Sequence, residues 1–195
     1  MSYSVLLVID VQDSFKADPI RWSRRNNPKF ESNVSSLISA YREVGEAIIF
    51  VMHQDSDGGF NPASPYYRPM DFLDVRPKDV VLHKTTRSAF ASTDLERRLI
   101  LLGARRLVIT GIQTEQCCET TTRDAGDLGY EVDFVTEATL TFPIPHWAGG
   151  PELGTEAITE RTEYALAKRF ARIRSVEQVL ADLSAAELAP VLPPS

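Results

Sequence analysis

A carboxylate, an amine and a thiol stand at three separated points of the chain, each at the end of an apolar run or the start of a helical one. Asp10 closes "VLLVID", Lys84 follows "DVVLH", and Cys117 and Cys118 lie within "GIQTEQCCETTTRDAG" (111–126), the chain having no other cysteine. A carboxyl group partly desolvated at a strand end has a raised pKa and is suited to take a proton. A thiol near a helix N-terminus feels the aligned peptide dipoles, and a neighbouring ammonium would add to their pull, so a lowered thiol pKa is expected there, with Glu115 and Glu119 opposing it. An acid, a base and a thiol suffice for acyl transfer through a thioester.

Each residue also has a plainer reading. Asp10 fits a strand-end cap, Lys84 a solvated loop lysine, and either cysteine a small buried side chain, because free cysteine is among the most buried residue types. On a helix, Cys118, Thr122 and Ala125 form a more core-like stripe than Cys117, Thr121 and Asp124. Cys117 is therefore the expected nucleophile and Cys118 the packing residue. Just upstream, "TGIQTEQC" gathers backbone amides ahead of the helix, as an oxyanion site requires.

The elements that must position these groups follow from periodicity. Short apolar runs at 3–10, 47–53, 79–83, 106–111, 131–135 and 171–175 read as strands buried on both faces. Helical segments at 28–45, 92–103, 114–129, 155–170 and 175–183 alternate with them. This predicts one α/β domain over residues 1–195: a doubly wound, mainly parallel six-stranded sheet with helices on both faces. In such sheets ligands bind beyond the carboxyl ends of the strands, where Asp10, Lys84 and the cysteines all fall. The irregular stretches 54–78 and 139–154 are candidate pocket walls, and residues 189–195 form a proline-rich tail.

Three blocks, "LLVIDVQDSF" (6–15), "LHKTTRSAFASTDL" (82–95) and "VITGIQTEQCCETTTRDAGDLGY" (108–130), resemble the isochorismatase-like cysteine hydrolases, which include nicotinamidases and N-carbamoylsarcosine amidases. A weaker echo appears in "RFARIRSVEQVL" (169–180). The resemblance implies the three-layer, Rossmann-like fold of that superfamily and a triad of Asp10, Lys84 and Cys117: Asp10 accepts the thiol proton, Cys117 attacks a carbonyl carbon, and Lys84 holds the two in register. It also implies a cis peptide between Ile112 and Gln113, with the amides of Gln113 and Cys117 as the oxyanion hole.

Departures from the family narrow the chemistry. Nicotinamidases carry an Asp-x-His pair and a further histidine after the second strand for a metal ion, whereas this chain reads "MHQDSDGGFNPASPYY". His53 and Asp55 are present without that ligand pattern, and His83 and His146 are the only other histidines, so no metal and no cofactor are expected. The aromatics Phe15, Trp22, Phe60, Tyr66, Tyr67, Phe90 and Trp147 are candidate pocket residues for a flat or apolar acyl group.

The leading expectation is a cysteine-dependent hydrolase that cleaves an amide or carbamoyl C–N bond of a small molecule. The alternatives are an isochorismatase-type vinyl-ether hydrolase relying on Asp10 and Lys84, and a non-catalytic binding protein on the same scaffold. A net charge of −6 argues against a nucleic-acid surface, and "DVQDSF" after the first strand is no glycine-rich phosphate loop. The chain has no apolar run long enough to span a membrane and no signal-like N-terminus, so a cytoplasmic protein with free thiols is expected. The resemblance further suggests a homo-oligomer, dimer or tetramer.

Overall fold

A computed structural model describes residues 4–188, so the proline-rich tail falls outside the described residues. Six strands, β1 (Ser4–Ile9), β2 (Ala47–His53), β3 (Val80–Lys84), β4 (Arg106–Ile112), β5 (Glu131–Leu140) and β6 (Arg172–Ile173), form one sheet in the order β3-β2-β1-β4-β5-β6. Every pairing is parallel. The helices are α1 (Pro19–Ser23), α2 (Phe30–Glu43), α3 (Leu95–Leu102), α4 (Glu119–Asp127), α5 (Thr155–Leu166) and α6 (Val176–Leu188). None of the described helices is long and apolar enough to cross a membrane.

Strand β1 shows why the sheet needs both faces covered. All six of its residues are buried, and because successive side chains alternate, Leu6 and Val8 face one helical layer while Val5, Leu7 and Ile9 face the other. The first layer packs Val34, Leu37 and Tyr41 of α2 with Val176 and Val179 of α6. The second packs Leu95 and Leu99 of α3, Ala125 of α4 and Leu166 of α5. Each such buried aliphatic side chain contributes about 1.5–3 kcal/mol, which offsets the ordering of the strands between them.

The strand order reverses between β1 and β4, and that switch opens a crevice at the carboxyl edge. Register sets what meets there. Ile9 pairs with Val51 on one side and Gly111 on the other, while His53 pairs with Lys84. The residues just past Ile9 and Ile112 therefore emerge together, one strand away from Lys84.

Three elements differ from the sequence reading. Strand β5 runs to Leu140 rather than Val135, because its pairing slips between Ile109 and Gly111 of β4: Phe134 opposes Ile109, yet Thr139 opposes Gly111. The candidate wall at 139–154 thus begins two residues inside the strand. Helix α1 is additional: Asp18 caps it by accepting the Arg21 amide at 3.0 Å, and Pro19 occupies its first position. Residues 114–118 form a wide π-type turn ahead of α4 rather than its first α-helical turn.

Gly111 permits the slip. Its φ is +132°, and a Cβ there would lie 1.9 Å from the Ile9 carbonyl oxygen, deep in backbone. We expect Gly111→Ala to lower unfolding stability by at least about 3 kcal/mol, from steric overlap added to backbone strain. Urea denaturation of the variant beside wild type checks this, and an unchanged midpoint would contradict it.

Candidate active site

Asp10 follows β1 with φ of +53°, a left-handed conformation rare for a residue with a side chain. Its amide donates to the Val51 carbonyl at 2.7 Å, and its carbonyl accepts from the Gln12 amide at 2.9 Å. Gln12, itself fully buried, extends the sheet edge with its side chain: Oε1 accepts from the His53 amide at 2.8 Å and Nε2 donates to the His53 carbonyl at 3.0 Å. The ends of β1 and β2 are thereby tied just where Asp10 turns.

Lys84 is the last residue of β3 and is 0% exposed, so it is no solvated loop lysine. Its Nζ lies 2.8 Å from Asp10 Oδ2, 3.1 Å from the Thr86 carbonyl, 3.3 Å from Cys117 Sγ and 3.3 Å from His53 Nδ1. Four polar atoms surround one ammonium, which is how a buried charge is made tolerable.

The peptide between Ile112 and Gln113 is cis. Beyond it the Gln113 carbonyl accepts from the amides of Gln116 and Cys118, both at 3.2 Å, winding the turn that carries Cys117. Thr114 Oγ1 donates to Thr139 Oγ1 at 2.8 Å, and Thr121 Oγ1 accepts the Ala89 amide at 3.1 Å. These bonds lock the cysteine turn to β5 and to the segment after Lys84. Cys118 points into the helix-packed core and is fully buried, whereas Cys117 is 4% exposed at a cavity.

That cavity, about 270 Å³, is lined by Asp10, Cys117 and Gln113 together with Phe15, Phe60, Arg21, His53, Asp55, Arg87 and Gln116. Phe15 meets Phe60 edge-on at 4.9 Å and stacks on Phe142 at 5.8 Å. The other candidate aromatics lie elsewhere. Trp22 packs against Phe142 beneath Arg25, and Tyr67 hydroxyl bonds His83 at 2.5 Å. Phe90 stacks on Tyr130 beside the α3/α4 layer, Tyr66 is 43% exposed, and Trp147 is 92% exposed against His146. Sequence position above the strand ends could not separate these cases, because it does not show which neighbour each ring packs against.

Electrostatics correct one expectation. Burial, and then the Asp10 carboxylate, push the Cys117 thiol up to about 12, and Lys84 only partly counters them. The helix-terminus effect anticipated from sequence does not prevail, because desolvation of the thiolate outweighs it. Burial also raises the Asp10 carboxyl, against the pull of Lys84 and of the thiol. One Asp10 oxygen, Oδ1, is buried with no geometric hydrogen-bond partner. A protonated thiol thus sits beside a carboxylate of raised basicity.

Sequence reasoning did not find Arg21, Arg87 or Gln116. Arg87 was visible three residues after Lys84 within "KTTRSAF", and Arg21 within an Asp-Pro helix start. His53 is buried between two cations: burial, then Lys84 and Arg87, lower its pKa to about 4.

Residues 4–178 match the family model of the isochorismatase domain. The chain belongs to the isochorismatase family. Over 139 residues this isochorismatase-family chain is 34% identical to the isochorismatase family protein YrdC of Bacillus subtilis, covering 70% of the chain and 73% of YrdC. It is 42% identical over 156 residues to nicotinamidase 3 of Arabidopsis thaliana, covering 71% and 74%. A crystal structure of a hydrolase of the family from Chromobacterium violaceum superposes with a TM-score of 0.87 at 29% identity, covering 94% of each chain. The protein is a hydrolase of this family.

Two outcomes follow from the charges. Because Asp10 raises the thiol pKa and Lys84 lowers it, Asp10→Asn should shift the pH curve for iodoacetamide alkylation of Cys117 toward lower pH. Lys84→Met should shift it the other way, each changing the rate at fixed pH by about threefold to tenfold. The opposite signs would refute this account of the thiol. For His53, the unfolded chain takes a proton near pH 6.5 but the folded chain only near 4, so stability present above 6.5 is lost as pH falls toward 4. His53→Gln should remove roughly 2 kcal/mol of that pH dependence, read by denaturant melts across the window.

Proposed function

We propose that this hydrolase cleaves the C–N bond of a small amide or carbamoyl compound through a thioester on Cys117. The observation that carries the reading is a single buried ammonium, Lys84, 2.8 Å from Asp10 and 3.3 Å from the Cys117 sulfur, beneath a cavity of about 270 Å³.

Since burial keeps the thiol protonated at rest, its proton leaves as sulfur attacks the carbonyl carbon, and Asp10 is the adjacent acceptor. The carbonyl π electrons move onto oxygen, toward the amides of Gln113 and Cys117, to which this reading assigns the oxyanion. As that oxygen re-forms its double bond, the C–N bond breaks and the amine leaves with the proton from Asp10. Water then attacks the thioester, Asp10 takes one of its protons, and the acid departs as Cys117 recovers its own. Lys84 stays bound to both partners throughout and limits their separation.

The nicotinamidase relative supports amide cleavage through its name alone. No step is assigned to a metal ion; among the described residues no three His, Cys, Asp or Glu side chains gather where they could hold one.

The test is ammonia release from a panel of primary amides and N-carbamoyl compounds. Turnover of the responsive substrate should fall by roughly a thousandfold or more in Cys117→Ala and within a few-fold only in Cys118→Ala. Hydrolysis that survives Cys117→Ala would overturn the thioester route. Surviving activity toward isochorismate in that variant would instead favour vinyl-ether cleavage through Asp10 and Lys84.

A further inference from the structure

We infer that the substrate carries a carboxylate, or a comparable small anion, which Arg21 and Arg87 clamp across the cavity while the scissile carbonyl faces Cys117. This rests on the reading of that cavity as the substrate site.

Most arginines of this acidic chain lie against carboxylates: Arg24 on Glu152, Arg42 on Asp74 and Asp79, Arg68 on Asp13, Arg172 on Asp133. The two that line the cavity differ. Among the described residues, neither Arg21 nor Arg87 has a carboxylate within salt-bridge distance. Arg21 donates from Nη2 to the Gln113 side-chain oxygen at 3.2 Å, and its guanidinium lies over the Phe142 ring at 4.6 Å. Arg87 Nη1 lies 3.3 Å from His53 Nε2.

The histidine sharpens this. Its Nδ1 faces the Lys84 ammonium and its Nε2 faces Arg87, but a neutral imidazole offers one acceptor nitrogen, so it can satisfy only one of the two cations. Lys84 has Asp10 as well; Arg87 has no such second partner. Both residues are exposed, so most of the N–H donors of the two guanidinium groups face solvent rather than protein acceptors, at one small cavity that Cys117 also lines.

The planar guanidinium fork matches a carboxylate, and Phe142 holds the plane of Arg21 in place. The carboxylates of the cavity do not fill this role. Asp10 is held by Lys84, and Asp55, 57% exposed, accepts from the Ser56 amide at 2.9 Å and lies 4.0 Å from His53 Nε2. Glu115, which Arg21 influences from beyond contact distance, bonds Thr141 instead. A molecule of the size of a carbamoyl amino acid, with a C–N bond at one end and an anionic group at the other, satisfies both ends of the site.

Alkylation tests this without requiring turnover. Iodoacetate and iodoacetamide transfer the same CH2 to sulfur with loss of iodide, and differ in that one carries a carboxylate. The ratio of their rate constants at Cys117, resolved from Cys118 by fragment-ion mass spectrometry, is compared with the ratio for glutathione at about 0.15 M salt, where exposed charges are screened beyond about 8 Å. Any change in thiolate fraction cancels in the ratio.

The wild-type ratio should exceed that of glutathione by at least about tenfold. Arg21→Met and Arg87→Met should each lower it by about threefold or more, and the double variant should bring it to the glutathione value. Arg25→Gln, which removes an equal charge outside the cavity, should leave it unchanged. A wild-type ratio no higher than that of glutathione overturns the proposal, as does an equal loss in Arg25→Gln. A high ratio with no Cys117-dependent amide hydrolysis would retain the anion clamp and discard the thioester reading; Cys117-dependent hydrolysis with a glutathione-like ratio would do the reverse.

Discussion

The active-site end of this molecule depends on the burial of one ammonium group. Lys84 is fully enclosed, and a charge so placed is tolerable only if acceptors reach it from several directions. They arrive from separate strands: Asp10 from the end of β1, His53 from β2, and Cys117 from the turn after β4. Strand order β3-β2-β1-β4 is what makes this convergence possible, because it places those ends side by side. The sheet positions the lysine, and the lysine in turn requires the strand ends to stay together.

Around that charge the protein suppresses ionisation rather than promoting it. The thiol is held protonated, the neighbouring imidazole neutral, and the carboxyl group more basic than in water. On the thioester route proposed above, the thiol stays protonated until a carbonyl group is in place, since its proton and the attacking electron pair then move in the same event. The cavity wall carries the opposite character: two arginines without carboxylate partners confront the opening.

The alternation of apolar runs with amphipathic segments was enough to place all six strands: the central ones, buried on both faces, leave a record in Val, Ile and Leu, whereas β6 is a short edge strand that is only partly buried. The extension of β5 was not legible. "TEATL" is polar enough to read as loop, and its pairing depends on a glycine in a different strand. Strand ends alone left Asp10 and Lys84 open to structural readings; it was the family resemblance that implied their grouping with Cys117, and the structure brings Asp10 and Cys117 to one ammonium and puts Cys118 in the core. Arg21 and Arg87 could not be anticipated, since the sequence does not show which exposed arginines line a cavity and which face open solvent. Only the three-dimensional count of partners separates Arg24, paired with Glu152, from Arg21, three residues earlier.

The crowding of Lys84 bears on how long the catalyst survives. An acyl group carried on the Cys117 sulfur would lie close to an amine 3.3 Å away, and migration of acyl groups from sulfur to nitrogen is strongly downhill. Such a transfer would turn the lysine into an amide and leave the protein permanently blocked. It requires a nitrogen lone pair, which an ammonium bound to a carboxylate and a backbone carbonyl does not have. On the proposed thioester route, the same hydrogen bonds that gather the strand ends would thereby protect the molecule from being consumed by its own reaction.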